Sequence, residues 1–342
     1  MISKLSRFAQ FCCLCSHLMA ETDAPAAKRQ RTEDSPITRA DLWHDDGSVV
    51  LQAEGIQFRV NWSVLSMHSS FFRDMRGLPQ PPDQPSIEGC PVIQLTDSST
   101  DLKHLLNALY DPLVFKEKGL AFEFIAAVVR LGRKYDFKDL FAAAVERLTH
   151  ENPTTLEAYD QLISIDGPDS FIYKPTQILA HSSLVFDTIT LARENQLFAV
   201  LPCAYIRALL FNDQEQILDG ISSSIRVGPP VKLPFMDQRV CILGLEKILK
   251  AQWQENWLFH SKAAGCTANS RCAARKLAIL QSWVTHAVMI LVPTGGGSLN
   301  VGLCNTCESQ YMEAIAEGRK ELWEKLPSFF DLPPWNELKN EL

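Results

Sequence analysis

Between Asp45 and Asp111 the apolar residues change period several times, and each change predicts an element. In Val49-Val50-Leu51 and again in Ile56-Gln57-Phe58-Arg59-Val60 they cluster or alternate at the strand period, with Glu54-Gly55 between them as a tight turn. This predicts a hairpin with one apolar face. From Asn61 the pattern turns helical. Asn61 is expected to cap a first short helix, and Ser69-Ser70 to restart a second that carries Phe71, Phe72 and Met75 to a stop at Gly77. Val92 to Leu95 reads as a third strand. The run Asp97 to Asp101 then caps a helix whose Leu102, Leu105, Leu106, Leu109 and Tyr110 fall on one face, with Asp97 and Asp101 read as capping carboxylates.

Two more amphipathic helices follow. Phe122, Ile125, Ala126 and Val129 share one stripe within 121–135, and Leu140, Phe141, Ala144, Val145 and Leu148 another within 138–150, closed by Asn152-Pro153. This order of elements, with the segments FRVNWSVLSMHSSFF, LLNALYDP and RLGRKYDF, resembles a BTB/POZ domain of the kind abundant in fungal proteins, over roughly residues 41–150. Many members of that family carry His where this chain has Asn61. The fold so implied is α+β: a BTB/POZ-like domain with a short three-stranded sheet and helices at 41–152, after a disordered leader at 1–40 and ahead of a mainly α-helical extension at 153–342.

Beyond Asn152 strand signals nearly vanish. Helical stripes recur at about 177–194, 197–211, 236–259, 272–291 and 307–326, separated by Asp166-Gly167-Pro168, Gly228-Pro229-Pro230 and Gly295-Gly296-Gly297. Leu245, Ile248, Leu249, Trp253 and Trp257 occupy one helical face, which assigns these tryptophans to a core rather than to a ligand. The closing run EGRKELWEKLPSFFDLPPWNEL resembles the C-terminal ends of fungal BTB proteins of this layout.

The 342-residue chain, 46% hydrophobic and 21% charged, has enough apolar material for two domains. A net charge of −7 argues against nucleic acid as the main partner, which demands a dense basic surface. No apolar run reaches the roughly 18 residues of a membrane span. The expected setting is intracellular, cytoplasmic or nuclear. Lys28-Arg29-Gln30-Arg31 offers a nuclear import signal, although basic tetrapeptides are common in solvated tails. Residues 1–18 read as a weak secretory pattern, a palmitoylation site at Cys12, Cys13 and Cys15, or an unstructured tail before an alternative start at Met19. Asn61-Trp62-Ser63 matches a glycosylation sequon, here read as a helix cap.

One constellation suggests metal chemistry. Cys304-Asn305-Thr306-Cys307 brings two thiols within reach of one ion, and Cys266 with Cys272 would complete a tetrahedral structural zinc site, with His260 and His286 as substitutes. The competing reading is scattered buried thiols in a reducing compartment. The chain has no phosphate-binding loop of the G-x-x-x-x-G-K-[ST] type, no G-x-S-x-G and no H-E-x-x-H. His68 beside Ser69-Ser70 has no nameable acidic partner. The chain is therefore expected not to be an enzyme.

The resemblance implies protein partners: homo- or hetero-dimerisation through the first strand and the helix near Asn61, and in some members docking to a cullin-type ubiquitin-ligase scaffold. Trp62, Val64, Leu65 and Met67 are the dimer-surface residues it suggests. The alternative is a zinc-stabilised binding protein whose activity resides in the C-terminal helical region.

Overall fold

In a computed structural model, residues 37–79, 83–165, 171–254, 265–285, 291 and 302–340 are described. The expected hairpin is β2 (Val49–Ala53) and β3 (Ile56–Val60), paired antiparallel with Leu51 opposite Phe58. Its turn places Glu54 and Gly55 at φ +47° and +79°. Two left-handed residues in a row twist the connection in the sense that strands require. The third expected strand is β5 (Cys90–Gln94), parallel to β2.

Three strands were expected, and the sheet has five, in the order β1-β3-β2-β5-β4. The additions are β1 (Thr38–Trp43), parallel to β3, and the two-residue β4 (Ser86–Ile87). Because β1 starts at Thr38, residues 38–40 belong to the sheet rather than to a leader. The rest of the expected leader, with Cys12, Cys13, Cys15 and Lys28 to Arg31, lies outside the described residues.

Two short helices follow β3: α1 (Trp62–His68) and α2 (Ser70–Arg76). Ser69 caps α2 by accepting a hydrogen bond from the Phe72 N–H, as expected. After β5 come α3 (Ser99–Tyr110), a 3₁₀ turn (Pro112–Lys116), α4 (Phe122–Lys134) and α5 (Lys138–Glu151). Asp97 and Asp101 do not cap α3. Asp97 holds Lys134 at 2.6 Å and the Tyr135 hydroxyl, while Asp101 takes the Arg130 guanidinium at 2.9 and 3.0 Å. Asp101 fastens α3 to α4, and Asp97 fastens the connection ahead of α3 to the end of α4. The start of α3 is served instead by Glu54, which accepts from the Ser99 N–H (2.9 Å) and hydroxyl (3.0 Å). Those two donors hold the Glu54 carboxyl below its ordinary value.

One face of the sheet carries Val49, Leu51, Ala53, Phe58 and Val60 into a core with Leu65, Phe72, Leu102, Leu105, Leu106, Leu131, Tyr135 and Phe137. A second core begins on the other sides of α4 and α5. Ile125, Val128, Val129, Ala144, Val145 and Leu148 meet Tyr159, Phe186, Ile189, Leu201, Tyr205, Leu322 and Leu326. The single stripe expected on α4 is therefore an underestimate, because the helix is buried on nearly every side.

The helical extension comprises α6 (Leu156–Leu162), α7 (Leu184–Glu194), α8 (Leu201–Phe211), α9 (Gln214–Asp219), α10 (Phe235–Gln254), α11 (Asn269–Thr285) and α12 (Asn305–Phe329). A hairpin, β6 (Ile163–Ile165) with β7 (Phe171–Tyr173), interrupts it where strands were not expected. The helix expected from 177 starts only at Leu184. Residues ahead of it form bends and a turn, and Leu120 and Ile178 form a parallel bridge. In α10, Ile248 is buried and Leu245 packs on the core. Trp257 lies outside the described residues.

The junction at residue 152 is tied from several directions. Glu151 accepts from the backbone N–H of Thr176 (2.7 Å) and Gln177 (2.6 Å) and from the Tyr173 hydroxyl. Arg207 donates to the Glu151 carbonyl and to Asn152 Oδ1 (2.6 Å), with its guanidinium 3.4 Å above the Tyr173 ring. On α12, Arg319 pairs with Asp160 and the Trp323 indole donates to the Thr154 carbonyl at 2.9 Å.

Candidate functional site: a helical face and a thiol cluster

The surface named from sequence divides once its residues are placed. Leu65 is fully buried in the first core and cannot meet a partner in this conformation. Trp62 and Val64 are half-buried against that core, and Met67 is 74% exposed. Two apolar residues that the sequence reading did not assign to the surface join Met67: Phe71 (39% exposed) and Leu78 (63%). Consecutive helical residues point about 100° apart, and the first core covers α2 on one side, so Phe71 and Phe72 are buried unequally. Phe72 takes the core position at 1% exposure, and Phe71 is left outside.

Asn61 sits at the cap of α1, yet its side chain makes no capping bond. Its Nδ2 donates to the Asp46 carbonyl (3.2 Å), its Oδ1 accepts from the Tyr110 hydroxyl (3.1 Å), and its backbone N–H donates to the same hydroxyl oxygen (2.8 Å). The residue thus ties the start of α1 to the end of α3 through Tyr110, while the sequon nitrogen is engaged by the Asp46 carbonyl.

The first strand expected to dimerise, at Val49, is internal: β2 lies between β3 and β5. One edge is β1, with Thr38, Arg39 and Asp41 exposed and Ala40 and Leu42 packed on the core, and the other is the two-residue β4. That alternation was the available signal, masked by the polar composition around it. An edge strand presents unpaired backbone groups along one side.

Neither serine–histidine combination forms a relay. His68 is exposed. Ser69 donates to the Tyr135 carbonyl (2.5 Å), and Ser70 donates to Asp136. Farther along, Ser183 Oγ and His181 Nε2 both contact Asp187, at 2.8 and 3.0 Å. With the carboxylate in the middle, the hydroxyl has no base, and the group is a buried hydrogen-bonded cluster.

The thiol cluster assembles as expected. Cys266, Cys272, Cys304 and Cys307 are free, and their sulfurs all lie within 4.8 Å of one another. Cys304 is the cap residue of α12, and Cys307 sits in its first turn. The Cys304 N–H donates to Cys272 Sγ (3.3 Å), and Cys304 Sγ is 3.8 Å from Cys266 Sγ. Backbone N–H groups of Cys307 and Thr267 aim at the Cys304 sulfur and bring its pKa down to about 5. Cys203 and Cys241 behave oppositely, since burial pushes each up to about 12. Those two are inert core thiols. Among the described residues this is where His, Cys, Asp or Glu side chains gather in a metal-holding arrangement. His260 and His286, the suggested substitutes, lie outside the described residues.

Residues 45–152 match the family model of the BTB/POZ domain. No curated protein matches the chain. The matched span runs from the loop ahead of β2 to the end of α5, so the α1–α2 face belongs to a domain that is a protein–protein interaction module, and the thiol cluster lies outside it.

Proposed function

We propose that the protein works by holding other proteins, as a dimerising adaptor or scaffold whose self-association face comprises α1, α2 and the edge strand β1. The observation that carries this reading is the outward apolar set Met67, Phe71 and Leu78 on a domain of the BTB/POZ type. Large apolar side chains left in water favour a partner surface. Trp62 and Val64, half-buried against the first core, would support that contact. A cullin-type ubiquitin-ligase scaffold is the further partner suggested by the family resemblance. The free thiols fit a reducing compartment, cytoplasm or nucleus. Among the described residues no helix is long and apolar enough to cross a membrane. The alternative, a zinc-stabilised binding protein whose activity resides in the C-terminal helices, has less support, because the family match covers residues 45–152 and leaves those helices outside it.

Light scattering after gel filtration tests the reading. The wild-type chain is expected at twice its monomer mass, and Met67→Glu is expected to shift it to monomer without altering its circular dichroism. A wild-type chain that stays monomeric at high concentration sinks the dimer. Affinity purification with mass spectrometry addresses the adaptor role, and recovery of no cullin removes the ligase version.

A further inference from the structure

We propose that Cys266, Cys272, Cys304 and Cys307 bind one Zn²⁺ ion in a closed tetrahedral clamp that joins the N-terminal end of α11 to that of α12. Geometry is the first support. With Zn–S bonds of about 2.3 Å, the sulfurs of a tetrahedral site stand about 3.8 Å apart. Cys304 and Cys266 already stand at 3.8 Å, and no pair exceeds 4.8 Å. A disulfide needs sulfurs at about 2.05 Å, so the arrangement suits an ion between the thiols rather than a bond.

Charge is the second support. A Zn²⁺ ion with four thiolates carries a net charge of −2. The sulfurs face the positive end of α12, a 25-residue helix, and the backbone N–H of Cys304 donates to one of them. Binding balances as one Zn²⁺ and four thiols giving the dianionic complex and four protons.

Packing is the third. Leu303, Cys272, Cys304 and Cys307 form a satellite cluster of their own, with Cys266, Ala268 and Tyr311 at its margin, separate from the two main cores. On the described part of α11, Cys272 is the buried residue, and Leu277 is 57% exposed. An apolar contact this small is weak support for a helix whose cysteine is 32 residues from its partner Cys304. Metal coordination supplies what the packing lacks, as in other small zinc-folded modules. Four sulfur ligands occupy every position, so the role is structural.

The full chain purified without chelator is the material for the test. Mass-spectrometric metal analysis is expected to give about one zinc per chain, and Co²⁺ substitution to give the intense absorption of tetrahedral thiolate coordination. Cys272→Ser and Cys304→Ser should each lower the bound zinc at least tenfold, whereas Cys241→Ser should retain it. Because loss of a ligand can also impair folding, Cys266→His provides the control: it keeps a ligand and is expected to hold zinc with a shifted cobalt spectrum. Chelation should make the region around α11 sensitive to protease while residues 37–152 stay protected. Full zinc retention in Cys304→Ser, iron in place of zinc, or a metal-free protein with four freely reacting thiols would each overturn the clamp. None of these outcomes bears on self-association through α1 and α2.

Discussion

At the residue scale, Asp187 shows how one buried carboxylate makes stability depend on pH. Burial alone would raise its pKa, but hydrogen bonds with His181 and Ser183 and the Arg226 guanidinium at 3.1 Å outweigh it and hold the group below its ordinary value. A depressed carboxylate pKa means that the unfolded chain binds the proton more readily. The stabilisation is therefore full above the unfolded value of about 4 and is lost as pH falls through the folded one. Asp187→Asn is expected to lower stability by about 1–3 kcal/mol near neutral pH and to flatten the decline below about pH 4. Urea midpoints at several pH values check both. An unchanged acid limb would assign that sensitivity elsewhere. The sequence shows Asp187 only as a polar residue in an apolar stretch. His181 and Ser183 stand just ahead of it in the chain, but Arg226 is 39 residues away and arrives from a loop whose approach no local pattern records.

Among the elements, α10 and α12 make the most testable contact. A Cβ added at Gly244 in α10 would lie 2.5 Å from Phe330 Cε1 and 2.6 Å from Cδ1, at the end of α12. Alanine normally improves a helix by about 1 kcal/mol over glycine. Here the clash should dominate at about 1–3 kcal/mol, so Gly244→Ala is expected to lower the melting temperature; a rise would mean that the two helices part easily. Helix periods were legible where one face is apolar, as in α3 and α5. In α4 the period placed the helix but understated its burial, and it failed where an element is very short. The β6–β7 hairpin has three residues per strand, too few to display a period. The box that caps α9, Asp213 with Gln216, was a readable signal that the apolar stripes overshadowed.

For the whole molecule, the decisive feature is that the second core continues across residue 152. Ile125, Val129, Val145 and Leu148 lie inside the matched BTB/POZ span and pack with residues of the helical extension. A fragment of residues 37–152 would expose them, so it is expected to bind a hydrophobic dye and unfold at lower denaturant than the full chain. Coincident, equally cooperative transitions would mean that the two halves fold separately. The sequence by itself determined the hairpin and its Glu54-Gly55 turn, the Ser69 cap, the order of helices through Glu151 and the four cysteines as a possible set, because each is written in neighbouring residues. Tertiary structure decided the rest. It buried Leu65 and left Met67 and Phe71 outside, made β1 an edge, turned Asp97 and Asp101 into ties to α4 and brought sulfurs from 266 to 307 together. Burial and distance depend on which surfaces pack, and packing joins residues far apart in the chain.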